Sequence, residues 1–439
     1  MKGPLDWNKL YVQKKRTLDE VLAEIRSDDE IIVGGGCCEP VNFLGNLHKI
    51  APNVENVVVR KSIDMGEYPY TTTPGMASSI RTKAYFLGGQ TRVGYKNGNV
   101  EVYPISLSAI GDSILEQAAV EHEKRRVFVC AVTPIDDQGF VTTMGVQWEN
   151  EAYQAADLVI FEVNPHMPRV PGFNHFSIGK ADFVYEVENE VPLLPPIEPT
   201  EKERKIGEYV ASLVEDGSCI QLGIGGIPNA AAAALIDKKD LGVHTELITP
   251  TLVELAEAGE ITCSRKNIDK GKMVGAFIMG TKRLYQFTDE NPMILLRPSS
   301  YTNNPFVIAQ NDRVVSINGA LQIDLCGQVA SESIGSMPYS GQGGAFDFAY
   351  GARLSKGGKN IIALPSTAKK GTVSTIQPIL DPGAVVSISR TVIDYIVTEY
   401  GIAQMRNRTV RERVENLISI AHPDFRAELR KQADLLMLR

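Results

Sequence analysis

Glu246 ends a short strand-like segment, Val243-His-Thr-Glu-Leu247, and is the side chain around which a reaction is easiest to assemble. A glutamate near its ordinary pKa of about 4.3 is ionised at neutral pH and needs no base to act as a nucleophile. It does need donors for a developing oxyanion, and two glycine loops offer backbone N–H groups. The first, Gly223-Ile224-Gly225-Gly226-Ile227-Pro228, joins the apolar run Cys219–Leu222 to an alanine-rich helix. N–H groups at such a helix start suit a phosphate or an oxyanion, and glycine lets the ligand reach the backbone. The second loop is Gly341-Gln-Gly343-Gly344-Ala-Phe-Asp347. Lys369 and Lys370, in Pro365–Gly371, would serve an anionic ligand such as a nucleotide phosphate, and Asn303 a polar contact to substrate.

Each feature also has a plainer reading. The loops can be tight turns or surface connections, Glu246 a solvated edge charge, the lysines surface charges, Asn303 the start of a turn and His244 a structural histidine. A dinucleotide site competes as well. Glu246 lies 20 residues past Gly226, near where a ribose-binding acid is expected, but Pro228 replaces the third glycine of that pattern. No GxSxG, HExxH, CxxC or cysteine–histidine pair is present, which leaves a carboxylate as the route to acyl chemistry.

The elements that must hold these residues belong to a large soluble chain. With 439 residues it exceeds one ordinary core, and two domains are expected. Charged residues make up 22% and the net charge is −8, which disfavours nucleic acid as a partner. No apolar run reaches the roughly 20 residues of a membrane span, and no apolar signal core follows Lys14-Lys-Arg16. Several of the six cysteines lie in strand-like segments and none has metal-ligand spacing, so a reducing cytoplasm fits and no metal site is expected.

The chain repeats itself. Thr17-Leu-Asp-Glu20 and Thr200-Glu-Lys-Glu203 are capping-box patterns, each followed by a helical face, a short apolar strand and a glycine turn. Leu22/Val210, Asp28/Asp216, Gly35/Gly223, Pro40/Pro228, Gly139/Gly327 and Val141/Val329 all differ by 188. Two related α/β domains follow, with mainly parallel sheets flanked by helices, divided in the proline-rich stretch Pro192–Thr200 into 1–195 and 196–439. Val57–Val59, Tyr85–Leu87, Leu158–Phe161, Met293–Leu296, Ile361–Leu364 and Val385–Ile388 read as further strands. By the same subtraction Glu246 faces Val58, so the first domain lacks the acid and chemistry belongs to the second.

At these residues the sequence resembles the acetyl-CoA hydrolase/transferase family, in particular its 4-hydroxybutyrate and butyrate CoA-transferases. The resemblance rests on GIGGIPNA (223–230), LGVHTEL (241–247), SINGALQIDLCGQVASE (316–332), SGQGGAFDF (340–348), GGKNIIALPSTAKKGTVS (357–374), VTEYGIAQMR (397–406) and IAHPDFR (420–426). It implies two NagB/RpiA-like domains and ping-pong exchange of CoA between short-chain acids, with coenzyme A as substrate rather than a tightly bound cofactor. It places Glu246 at the nucleophile that becomes a glutamyl-CoA thioester and Gly223 to Ile227 on the CoA-contacting loop. Leu321, Gly344 and Lys369 fall on further CoA contacts, and Gly343, Gly344 and Asn303 on substrate or oxyanion contacts. It also implies a homodimer or homotetramer, and a first domain that contributes to the acyl pocket. There the chain departs from the family pattern, with Val170-Pro-Gly-Phe-Asn-His-Phe-Ser177, which leaves the acid open. The alternatives are an acyl-CoA hydrolase using the same glutamate and a nucleotide-binding protein without activity.

Overall fold

A computed structural model describes residues 6–195, 197–223 and 225–438. The chain divides into two compact units, Met1–Leu194 with Gly275–Ser300, and Pro195–Val274 with Tyr301–Arg439. The segment 275–300 groups with the first unit because its backbone bonds there. Val146 N–H donates to Ala276, Ile278 N–H to Met144 and Leu296 N–H to Pro171.

The first unit is built on seven parallel strands: β1 (Glu30–Val33), β2 (Val57–Lys61), β3 (Ile80–Ala84), β4 (Val100–Val102), β5 (Arg126–Val132), β6 (Leu158–Val163) and β7 (Phe183–Glu186), ordered β4-β3-β2-β1-β5-β6-β7. Every residue of β1, β2 and β5 is buried, as the apolar runs Ile31–Val33 and Val127–Val132 require of strands covered on both faces. Tyr85–Leu87 lies just beyond β3 rather than in a strand.

The second unit is built on a six-stranded sheet of β8 (Cys219–Leu222), β9 (Gly242–Val243), β10 (Val314–Gly319), β11 (Lys359–Ala363), β12 (Tyr395–Thr398) and β13 (Gly401–Gln404). Their order is β9-β8-β10-β11-β12-β13, with only the last pair antiparallel. Helices α1 (Glu201–Ser212), α2 (Gly226–Ala233) and α3 (Ala345–Leu354) cover this sheet, and α4 (Val410–Ile420) and α5 (Pro423–Leu435) follow it. The capping boxes at Thr17, Thr200 and Thr409 are all formed. Val385–Ile388 forms no strand of a sheet, and the exposure of Val385 and Val386 explains why its apolar character misled.

In both units the sheet order reverses beside the strand that precedes the glycine turn, between β1 and β5 and between β8 and β10. Such switch points leave a crevice outside the carboxyl ends of the strands. The offset of 188 does not hold around them. Val58 N–H donates to Asp29, as Gly242 N–H does to Ser218, so this part of the repeat is shifted to 189 on one strand and 184 on its neighbour. The counterpart of Glu246 is therefore Ser62, not Val58. The position still lacks an acid, but Asp64 follows closely and is held by the buried Lys61, whose Nζ lies 2.9 Å from Asp64 and 2.5 Å from Glu39.

Candidate active site

The glycine turn of the second unit leaves β8 at the switch point, and its three described glycines differ in what they allow. Gly225 has φ +118°, a conformation closed to side chains, and the space where its Cβ would lie is open. A Cβ on Gly226 would strike the Glu203 carboxylate of α1, so this glycine permits the close packing of α1 on α2. Gly223 has only ordinary contacts at that position. Ile227 is buried in the first turn of α2, and Ile224 lies outside the described residues. In the first unit the matching turn is closed by the chain itself: Gly35 N–H donates to the buried Glu149 carboxylate at 2.8 Å.

Leu321 follows β10, the other strand of the switch point, and its N–H donates to the Ala330 carbonyl. Lys369 and Lys370 lie on an exposed turn after β11, both with positive φ, at +48° and +57°. These residues share the carboxyl edge of the sheet. Beneath it, Gln221 accepts from Ser316 at 2.8 Å and from Asn318 at 3.2 Å, a buried polar group linking β8 to β10. The polar Gln221 inside the apolar run CIQL was the sequence signal for it.

Glu246, Asn303 and Gly344 come together. Glu246 follows β9 and is partly buried. Asn303 Nδ2 donates to Glu246 Oε2 at 2.9 Å. Gly344 is the N-cap of α3 and follows Gly343, whose φ is +54°; the Gly344 N–H also donates to the carboxylate. A Cβ on Gly344 would overlap both Asn303 Nδ2 and Glu246 Oε2, so only glycine allows the three to meet.

The charge state differs from the expectation of an ordinary glutamate. Burial pushes the Glu246 carboxyl up to about 7, while the hydrogen bonds from Asn303 and Gly344 pull it down. Loss of hydration outweighs the two donors. At neutral pH the ionised form is therefore a fraction of the population rather than all of it.

His244, fully buried, points Nε2 at the Thr302 carbonyl, 2.9 Å away, as a structural histidine does. Five of the six cysteines are buried and all are free. Among the described residues no three His, Cys, Asp or Glu side chains group as metal ligands, and no helix is long and apolar enough to cross a membrane.

A carboxylate held by two donors at the carboxyl edge of a doubly wound sheet is suited to acyl transfer, and the comparisons with known proteins bear on which kind. Residues 5–195 match the acetyl-CoA hydrolase/transferase N-terminal domain and residues 280–433 the C-terminal domain. The chain belongs to the acetyl-CoA hydrolase/transferase family. It is 41% identical over 430 residues to the 4-hydroxybutyrate coenzyme A transferase of Clostridium kluyveri, covering 97% of this chain and 98% of that protein. It is 40% identical to the succinyl-CoA:cyclohexane-1-carboxylate CoA transferase of Geobacter metallireducens, covering 97% and 96%. The crystal structure of RipA from Yersinia pestis superimposes with a TM-score of 0.92 at 33% identity, covering 99% of this chain and all of that one. The chain is an enzyme of this CoA-transferring family.

Proposed function

We propose that this enzyme moves CoA between a short-chain acyl-CoA and a carboxylic acid through a thioester on Glu246. The ionised carboxylate attacks the thioester carbonyl, and the carbon–sulfur bond breaks to give an acyl-glutamyl anhydride and CoA thiolate. The thiolate then attacks the glutamyl carbonyl, releasing the first acid and leaving glutamyl-CoA. A second carboxylate reverses the two steps and leaves as the new acyl-CoA. No net proton is consumed, and exchange of one thioester for another is nearly balanced, so no ATP is needed. Asn303 and Gly344 hold the glutamyl oxygen through these steps, where fixed donors act on charge as it develops. Gly223, Gly225, Gly226 and Ile227, with Leu321 and Lys369 on the same sheet edge, are the proposed CoA contacts. Binding the CoA body there can stabilise the transition state at the distant thioester.

The observation that carries the proposal is the Glu246 carboxylate accepting from both Asn303 Nδ2 and the Gly344 N–H. The names of the relatives put butyrate, 4-hydroxybutyrate, succinate and a cyclic carboxylate among the acids to be tried, with acetyl-CoA as donor. The mechanism is tested by incubating the enzyme with acyl-CoA, trapping with borohydride and weighing the peptide that holds Glu246. Reduction of the glutamyl thioester to an alcohol is expected; an unmodified peptide in an active preparation refutes the covalent route. Rapid CoA release without an acceptor acid would indicate a hydrolase instead.

A further inference from the structure

Asn303 is fully buried, and its amide can turn either end towards Glu246. What lies behind it decides which. Thr302 Oγ1 donates to Asn303 Oδ1 at 2.7 Å, and Asn303 Nδ2 donates onward to Glu246 Oε2 at 2.9 Å. The main-chain carbonyl of the same Thr302 accepts from His244 Nε2 at 2.9 Å. His244 and Glu246 belong to one segment, so these contacts close a loop: His244 holds Thr302, Thr302 holds Asn303, and Asn303 holds Glu246. His244 and Thr302 are both fully buried, and the His244 ring lies beside Tyr301 and Phe348.

We infer that Thr302 is a positioning residue that commits the Asn303 amide to donating towards Glu246, with His244 fixing the backbone that carries it. The inference rests on the reading of Glu246 as the nucleophile. Turned over, the amide would set its oxygen against an ionised carboxylate and remove one of the two donors. A hydroxyl hydrogen directed at Oδ1 stabilises the productive orientation, and Gly344 packs closely against the amide on one side. The groups that set the Glu246 charge are burial, Asn303 and Gly344, with no charged side chain among them, so losing the Asn303 donor moves its titration upward.

The test compares Thr302→Val, which keeps the shape but removes the donor, with Thr302→Ser, which keeps the donor. In Thr302→Val we expect kcat to fall by about tenfold or more, because a hydrogen bond to a charged group is disturbed. KM for acyl-CoA should stay within about twofold, since uniform binding is untouched. The acid limb of the rate profile should move to higher pH, and Thr302→Ser should restore both kcat and the limb. Equal impairment in valine and serine variants, or an unshifted acid limb in Thr302→Val, overturns the inference. Should Thr302→Val fail to fold, Thr302→Ala faces the same criteria. Titration of the Glu246 carboxyl by ¹³C NMR in wild type and variant reads the positioning without turnover. Full transfer by Glu246→Ala would instead overturn the nucleophile assignment, whatever the Thr302 variants do.

Discussion

Replacing Glu246 by glutamine should stabilise the second unit above neutral pH while abolishing transfer, and the size of the gain follows from the titration of the carboxyl. Its pKa rises from 4.5 to about 7 on folding. Between those values the native state holds more protons than the unfolded chain, so stability falls as pH rises through that window. Each unit corresponds to about 1.4 kcal/mol, which gives an upper bound of about 3 kcal/mol, reduced by the partial exposure of the group. Glutamine keeps an oxygen for Asn303 and Gly344 but cannot ionise, so its stability lacks this slope. For a unit of this size, about 2–3 kcal/mol corresponds to a Tm difference on the order of 4–12 °C. The assay is thermal unfolding of wild type and Glu246→Gln at pH 5 and pH 8. Any constant effect of the substitution cancels when the two differences are subtracted. A variant advantage that grows by several degrees from pH 5 to pH 8 is expected; one that stays the same at both would falsify the assigned titration.

The remaining predictions concern the donors and the scaffold. The acid limb of kcat/KM for acyl-CoA should lie near pH 7, with rate falling about tenfold per unit below it; a profile flat from pH 5 to 8 refutes the raised carboxyl. Gly344→Ala should cost transfer about 100-fold or more, since its Cβ falls on the Asn303–Glu246 contact, whereas Gly223→Ala should leave thermal stability within about 2 °C of wild type. Unfolding scans and steady-state kinetics on both variants check the pair. Lys61→Met should destabilise the first unit by about 3–5 kcal/mol, because Glu39 and Asp64 lose their buried cation, and denaturant unfolding at pH 7 reads it.

Much of this protein was determined by sequence alone because the relevant signals are local. Capping boxes at Thr17 and Thr200, apolar strands such as Val57–Val59 and Leu158–Phe161, and the glycine turns depend on neighbouring residues and formed where their patterns lay, whereas Tyr85–Leu87 and Val385–Ile388 did not become strands. The repeat likewise showed that two related α/β cores were present. The tertiary structure decided what depends on residues far apart in the chain. A one-residue shift at β8 and a four-residue shift at β9 moved the counterpart of Glu246 from Val58 to Ser62, because register is set by strand pairing and not by counting. The segment 275–300 joined the first unit through bonds to 144–146 and 171, contacts that no local pattern announces. The charge of Glu246 was the clearest case. Its identity as a carboxylate was written in the chain, but the burial that raises its pKa and the donors that oppose it come from residues 57 and 98 positions away. Desolvation is a property of what the fold places around a group, and only the folded chain contains it.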